Sequence, residues 1–174
     1  MIQKYSRYKI LKEFLEFPLK DFSMRELSRM TKIAQPSVMN HLKALIKEDL
    51  IIREKKGIYP TYRANRDNDM FKFYKKFNLI LDIQESGLLE FINDSCYPDT
   101  IILFGSGSIG EDTENSDIDL FIQSKEKDLN LSKYKKILHS EINLFFEENF
   151  SRLSNELKNN ILNGIVLDGY LKVF

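Results

Sequence analysis

The 174-residue sequence predicts a mixed α/β (α+β) protein built from two modules. In residues 1–66, apolar residues first recur at helical spacing and then change to strand spacing. Further along, a fully apolar run at residues 100–104 leads into a glycine-rich turn and a second short strand. The charge also divides between the two parts of the chain. We therefore expect two small cores rather than one large one.

The charge division suggests that the two modules have different partners. Residues 1–66 hold 15 Lys+Arg against 7 Asp+Glu, and the remainder holds 11 against 19. A basic module suits a polyanion as partner, and an acidic module suits a metal ion or a protein. The alternative explanation of the charge division is chance clustering of charges on solvated faces. The single cysteine, Cys96, has no internal disulfide partner. The N-terminus does not resemble a signal peptide, and no apolar run is long enough to cross a membrane. Together with the single cysteine, these features predict a cytoplasmic protein that does not enter a membrane.

The basic module begins with three predicted helices. The first spans residues 4–17 and ends at Pro18. Ser23 is the predicted N-cap of the second, with Glu26 completing a capping box. Pro36 opens the third. The second helix is expected to bury Leu27 and Met30, and the third to bury Val38, Leu42, Leu45 and Ile46.

Two strands follow, over residues 50–54 and 58–62, around the basic turn Lys55-Lys56-Gly57. Pro60 predicts that the second strand lies at an edge, because proline cannot donate to a ladder. Three helices and a basic hairpin in this order predict a winged helix-turn-helix domain over residues 1–66.

The run from Ser37 to Leu45, followed by Asp49-Leu50-Ile51, resembles the recognition helix and wing start of bacterial and archaeal winged-helix regulators. Asp49 stands where that family usually has glycine, and aspartate tolerates the left-handed conformation. The chemistry and charge of the module predict contacts with double-stranded DNA, with a protein-binding winged helix as the alternative. The candidate DNA-binding residues are Gln35, Ser37, Asn40, Lys43, Lys55 and Lys56.

Residues 67–85 are predicted to form a connecting helix, and Ser86-Gly87 to separate it from the first helix of the second module, residues 86–174. The connecting helix carries an apolar stripe from Met70 to Ile83, with Phe73, Phe77 and Ile80 between. The stripe predicts either a part of the core or a dimer seam. A homodimer would bring two winged helices to two DNA half-sites.

The chemistry concentrates between the two strands of the second module. The turn Gly105-Ser106 lets backbone N–H groups approach phosphate oxygens, and Ser106 can add a hydroxyl. Asp117 and Asp119 lie two residues apart, so both carboxylates leave one face of a strand. Oxygen ligands of this kind suit Mg²⁺ or Mn²⁺. The combination predicts a metal–NTP site. A Walker loop is excluded by the missing lysine, and a dinucleotide fingerprint by the short strand-to-strand spacing.

The string Leu-Phe-Gly-Ser, ten residues, then Asp-x-Asp resembles the DNA polymerase beta-like nucleotidyltransferase superfamily, in particular its minimal nucleotidyltransferases. The resemblance runs from about residue 86 to the C-terminus. It implies a small mixed sheet flanked by helices, nucleotide binding at Gly105 and Ser106, and metal binding at Asp117 and Asp119. It also implies a toxin–antitoxin setting with a partner toxin.

The superfamily's third carboxylate, on a later strand, falls on Asn143. Its amide is neutral and a poor base. Glu141 shares its face by period-two alternation and is the candidate substitute. The candidate catalytic residues are Asp117, Asp119, Glu141 and Asn143. The sequence leaves open whether the domain transfers a nucleotide or serves as a non-catalytic sensor or interaction module of a regulator or antitoxin.

Overall fold

The computed structural model describes residues 5–55 and 59–173 of the chain. The chain divides into two compact units, Met1–Lys75 and Lys76–Phe174. The division falls inside one long helix, which begins in the first unit and continues in the second. In the described ranges, no helix combines the length and the apolar character needed to cross a membrane.

The first unit is a winged helix-turn-helix. Its elements are α1 (Ser6–Glu16), β1 (Phe22–Ser23), α2 (Met24–Thr31), α3 (Gln35–Lys47), β2 (Ile51–Glu54), β3 (Thr61–Ala64) and the start of α4 (Asp69–Ser86). The strands form an antiparallel sheet in the order β1-β3-β2. The core of this unit joins all three helices to the sheet through side chains such as Phe14, Leu27, Leu42, Leu45 and Tyr62.

Local sequence signals explain where several of these elements begin and end. The Ser23 hydroxyl accepts a hydrogen bond from the Glu26 N–H at 3.2 Å, which confirms the predicted N-cap of α2. Asp49 has φ +57°, so the left-handed conformation expected at this position is confirmed. The turn before β2 therefore forms without glycine, because aspartate tolerates this conformation better than most residues.

The prediction that Met30 is buried was wrong. Leu27 is fully buried, whereas Met30 is 40% exposed. The inward face of this short helix contains Met24 and Leu27, both of which pack in the core of the first unit. Met30, six residues after Met24, is turned about 120° from it around the helix axis and therefore lies at the side of that face.

The prediction that Pro60 places its strand at an edge was also wrong. Pro60 lies just before β3, and β3 is the central strand, paired with β1 on one side and β2 on the other. Because proline precedes the strand, it removes no hydrogen bond from either ladder. The two-residue β1, which the sequence pattern did not reveal, pairs with β3 and forms an edge of the sheet in its place.

The apolar stripe of α4 lies largely outside the core. Met70 is 51%, Phe73 53% and Phe77 36% exposed, so the interpretation of these three residues as core was wrong. Ile83, the last residue of the stripe, is buried in the second unit as the core alternative predicted, and in the first unit the helix buries Phe71, which the stripe did not include. The spacing alone could not distinguish these faces, since apolar residues occur on both.

The second unit is a mixed four-stranded sheet flanked by helices. After α4 it comprises α5 (Leu88–Cys96), β4 (Thr100–Phe104), α6 (Ser106–Ile109), β5 (Ile118–Ile122), α7 (Ser132–Leu138), β6 (Ile142–Phe146), a 3-10 turn (Phe150–Arg152), α8 (Asn155–Leu162) and β7 (Ile165–Gly169). The strand order is β6-β5-β4-β7; β5 and β6 are parallel, and the other pairs are antiparallel. Gly87, at φ +77°, separates α4 from α5 as predicted.

The sheet of the second unit has a core on each face. One contains Ile83, Leu88 and Ile92 packed with Ile101, Leu103 and Leu120. The other contains Phe150 and Ile161 packed with Ile102, Phe104 and Phe121. Because successive strand residues point to opposite faces and each face has a core, β4 is buried along its whole length, with the polar Thr100 followed by four apolar residues.

Candidate functional site

The glycine turn after β4 is packed against a carboxylate. Gly105 has φ +70° and ψ −158°, a backbone conformation that side-chain-bearing residues rarely adopt. A Cβ atom at this position would lie 2.6 Å from the Asp119 Oδ2. Glycine is therefore required here both for the backbone conformation and for the close approach to Asp119.

The residues after Gly105 form the single turn α6. The Ser108 hydroxyl donates to the Gly105 carbonyl oxygen at 2.8 Å, and Gly110, at φ +76°, ends the turn. Ser106 is the first residue of α6 and is half-buried. The turn thus holds Ser106 next to a backbone that is fixed against Asp119.

The two aspartates are positioned by the start of β5 and by the loop before it. Within that loop, the Thr113 N–H donates to the Ser116 hydroxyl at 2.9 Å, and the Ser116 N–H donates back to the Thr113 carbonyl oxygen at 3.1 Å. Asp117 follows this closed loop, is exposed and directly precedes β5. Asp119 is the second residue of β5, half-buried, and is paired with Phe104 of β4 and Asn143 of β6.

Asn143 joins the two carboxylates. Its amide nitrogen lies 3.1 Å from the Asp117 Oδ2 and 3.0 Å from the Asp119 Oδ1. Hydrogen bonds to ionised acceptors are stronger than neutral ones, so one amide offsets the repulsion between two neighbouring negative charges. The structure therefore brings three of the predicted site residues together at one point.

These residues fit a divalent cation that arrives with a nucleotide. Two carboxylate oxygens converge within hydrogen-bond distance of a single atom, and rotating the Asn143 amide would turn its oxygen to the same point. Mg²⁺ is commonly held by one or two carboxylates together with substrate phosphates. No group of three or more His, Cys, Asp or Glu suited to a metal occurs among the described residues. Two carboxylates and one amide form a donor set that suits a cation shared with phosphate oxygens.

Glu141 occupies a different position from Asn143. It lies one residue before β6, and its carboxylate forms a short ion pair with the Lys135 ammonium group. Its side chain is 66% exposed. The structure places Asn143, and not Glu141, against Asp117 and Asp119. Lys135 was not among the predicted site residues, because its pairing with Glu141 depends on how the end of α7 packs beside the start of β6.

The predicted DNA-binding residues of the first unit lie on α3 and after β2. On α3, Gln35, Asn40 and Lys43 are exposed, and Ser37 is half-buried. Lys55 is exposed directly after β2, and Lys56 lies outside the described residues. The buried side of α3 consists of Val38, Leu42 and Leu45, so the polar candidates are left on its outward faces.

One further pair in the first unit was not predicted. The Arg25 guanidinium, on α2, lies over the ring of Tyr59 at 5.7 Å from the ring centre. Both residues are exposed. A cation–π contact of this kind restrains a long side chain that would otherwise be free in solution. The pair connects α2 to the segment before β3.

The fold and site together define a class: a helix-turn-helix domain followed by a nucleotidyltransferase-fold domain. Residues 87–170 match the family model described as polymerase beta, nucleotidyltransferase, and residues 5–53 match the one described as bacterial regulatory protein, arsR family. The predicted pairing of these domains is confirmed. Domains with the nucleotidyltransferase fold generally use divalent metals. No curated protein and no solved structure matches the chain.

Proposed function

We propose that this is a DNA-binding protein whose C-terminal domain binds a metal–NTP complex and transfers a nucleotide to an acceptor hydroxyl. The observation that supports it most is the convergence of the Asp117 and Asp119 carboxylates beside the Gly105 turn. Two carboxylates directed at one point repel each other unless a cation or a hydrogen-bond donor lies between them. Such a pair, placed next to a turn suited to phosphate, is the arrangement expected for nucleotidyl transfer.

Each residue then has a definite role. A Mg²⁺ or Mn²⁺ ion held by Asp117 and Asp119 would neutralise charge on the phosphates and polarise them. The Ser106 hydroxyl donates to a phosphate oxygen, and Gly105 allows the backbone to approach. Before the ion arrives, the Asn143 amide holds the two carboxylates together through its two hydrogen bonds. The nucleotide is thereby positioned before an acceptor arrives, and such positioning contributes to the rate.

A second candidate function is a non-catalytic nucleotide sensor within a transcriptional regulator. Asn143 favours this function, because an amide at the place of the third carboxylate cannot accept a proton from an acceptor hydroxyl. In this case a bound metal–NTP complex would change the DNA affinity of the first domain without being consumed.

Incubation of the full chain with Mn²⁺ and α-labelled NTP distinguishes the two candidates. Transfer predicts covalent label on an acceptor and release of pyrophosphate, both lost in the Asp117→Ala/Asp119→Ala double variant. The sensor predicts bound but unconsumed NTP. A gel-shift assay at low salt tests the first domain separately: both candidates predict that duplex binding survives the double variant, and its complete absence in the wild type would contradict both.

The exposed apolar residues on α4 support a homodimer. Met70 and Phe73 lie three residues apart and are each about half exposed, at 51% and 53%. Packing them against the same residues of a second copy would remove two large side chains from water. A dimer would also present two recognition helices to a symmetric DNA site. The partner toxin implied by the resemblance is a separate prediction, which co-purification with the product of a neighbouring gene would test.

A further inference from the structure

A polar cavity of about 280 Å³ opens next to Asp117 in the second unit. The cavity is open to solvent, and the segments that lead into the parallel strands β5 and β6 line it: residues 114–117, residues 139–141 and Lys135 in the last turn of α7. Because parallel neighbours begin at the same edge of a sheet, their entry loops face each other there. Every lining residue carries a charged or polar side chain.

We propose that this cavity binds the acceptor of the nucleotidyl transfer, and that the acceptor is a small polyhydroxylated molecule the size of one sugar or polyol. This inference rests on the proposed transferase function. It adds an acceptor site to the nucleotide-binding site at Gly105 and Ser106.

The position of the cavity suits an acceptor. The Gly105 turn lies against Asp119, whereas the wall of the cavity, among the described residues, includes Asp117 but not Gly105, Ser106 or Asp119. Asn143 contacts both carboxylates and therefore lies between the two regions. Attack and departure at a phosphorus atom proceed roughly in line from opposite sides. A nucleotide on the Asp119 side leaves the Asp117 side for the incoming hydroxyl.

The size of the cavity and the residues that line it indicate which class of acceptor it binds. A volume of about 280 Å³ is just below the range typical of drug-sized ligands, so it suits a single ring or a short polyol. Nucleobases are recognised largely by stacking on aromatic side chains, and among the described residues the wall of this cavity has the imidazole of His139 but no Phe, Tyr or Trp ring. Carboxylates accept hydrogen bonds from hydroxyl groups, while Lys135 and Asn115 donate to them. Several hydroxyls on one small scaffold can satisfy such a wall.

Glu141 provides the proton acceptor that Asn143 cannot supply. Its carboxylate pairs with the Lys135 ammonium group, and both residues line the cavity. The acceptor oxygen forms a bond to the α-phosphorus of the NTP, and the bond from that phosphorus to the pyrophosphate oxygen breaks. The hydroxyl proton passes to the Glu141 carboxylate and then to solvent, and pyrophosphate leaves. In this scheme Glu141 contacts the acceptor, and Lys135 is a positioning residue.

Binding can be measured without metal or nucleotide. The full chain, labelled with ¹⁵N, is titrated with glucose, glucosamine, myo-inositol and glycerol, and the amide signals of Asn115, Ser116, His139 and Ser140 are followed. We expect saturable shifts at these amides with at least one probe. Lys135→Met and Glu141→Gln should each weaken that binding about tenfold, since each removes a charged hydrogen-bonding group. Lys136→Met, at the neighbouring exposed position of α7, is the matched control and should leave the affinity unchanged.

A second measurement separates this inference from the proposed function. With Mn²⁺ and α-labelled NTP, we expect label on the polyol that bound, lost in Glu141→Gln while NTP binding by calorimetry is retained. NTP binding without shifts at the cavity amides would overturn the acceptor site alone. Polyol binding without NTP binding would overturn the acceptor role and the transferase function together. Label on serine or threonine side chains or on a polynucleotide end, with none on a polyol, would overturn the proposed class of acceptor.

Discussion

Asn143 and Asp119 face each other across the parallel strands β5 and β6, and the Asn143 amide nitrogen lies 3.0 Å from the Asp119 Oδ1. The same nitrogen lies 3.1 Å from the Asp117 Oδ2. A neutral amide therefore holds together two carboxylates that would otherwise repel each other. The metal-free site is stabilised by the residue that replaces the third carboxylate expected from the resemblance.

Asn143→Asp should lower the stability of the protein without metal and raise its affinity for metal. A third carboxylate at this point loses two charge-assisted hydrogen bonds and adds repulsion, so the metal-free protein should lose about 1–3 kcal/mol of unfolding free energy. The same charge should strengthen Mn²⁺ binding. Thermal unfolding with and without Mn²⁺ checks both effects. Asn160→Asp, an exposed position on α8, is the control and should change neither. Equal effects in both variants would refute the role given to Asn143.

Gly105→Ala should abolish metal–NTP binding, because the added Cβ would lie 2.6 Å from the Asp119 Oδ2 and displace that carboxylate. The backbone strain should also cost about 1–3 kcal/mol of stability. Gly87→Ala provides a matched control: Gly87 has φ +77°, but its added Cβ would meet no atom within 4 Å. It should lose stability while keeping full NTP affinity by calorimetry. Retained NTP binding in folded Gly105→Ala would contradict the site geometry.

Two substitutions on α3 should have different effects on DNA binding. Lys43→Ala should weaken binding to all duplexes alike and reduce the slope of affinity against salt by about one, if Lys43 contacts a phosphate. Asn40→Ala should relax the sequence preference at one position, at a cost of about 1–3 kcal/mol on the preferred base. Fluorescence anisotropy at several salt concentrations measures both. Lys136→Ala, in the other unit, should leave both quantities unchanged; an equal effect there would indicate non-specific charge attraction.

Phe73→Glu should convert a homodimer into a monomer. Phe73 is 53% exposed on α4, and a buried, unpaired carboxylate in a dimer seam would be strongly unfavourable. Light scattering of the purified protein measures the change in mass. Tyr97→Glu alters another exposed aromatic residue, 86% exposed, and should leave the dimer intact. A monomeric wild type at micromolar concentration would contradict the proposed seam.

The sequence predicted those features that depend on local chemistry. The Ser23 cap, the left-handed Asp49, the break at Gly87 and the apolar strand β4 were all predicted and found. Each depends on one residue type or on one short run, so neighbouring residues determine the outcome.

Features that depend on tertiary pairing could not be predicted in the same way. The two-residue β1 has no detectable period, yet it makes β3 a central strand. Apolar residues on opposite sides of α4 did not indicate which side would be exposed. Period-two alternation put Glu141 and Asn143 on one face, but only the fold showed that Lys135 pairs with Glu141 while Asn143 contacts the aspartates.

The most direct test of the proposed metal–NTP site is calorimetric titration of the full chain with an NTP in the presence of Mn²⁺. We expect saturable one-site binding in the wild type that requires the metal. Asp117→Asn/Asp119→Asn should keep the fold and lose about 100-fold or more in affinity, because two charged ligands of the cation become neutral. Absence of NTP binding in the wild type, or undiminished binding in the double variant, would contradict the assignment of this site.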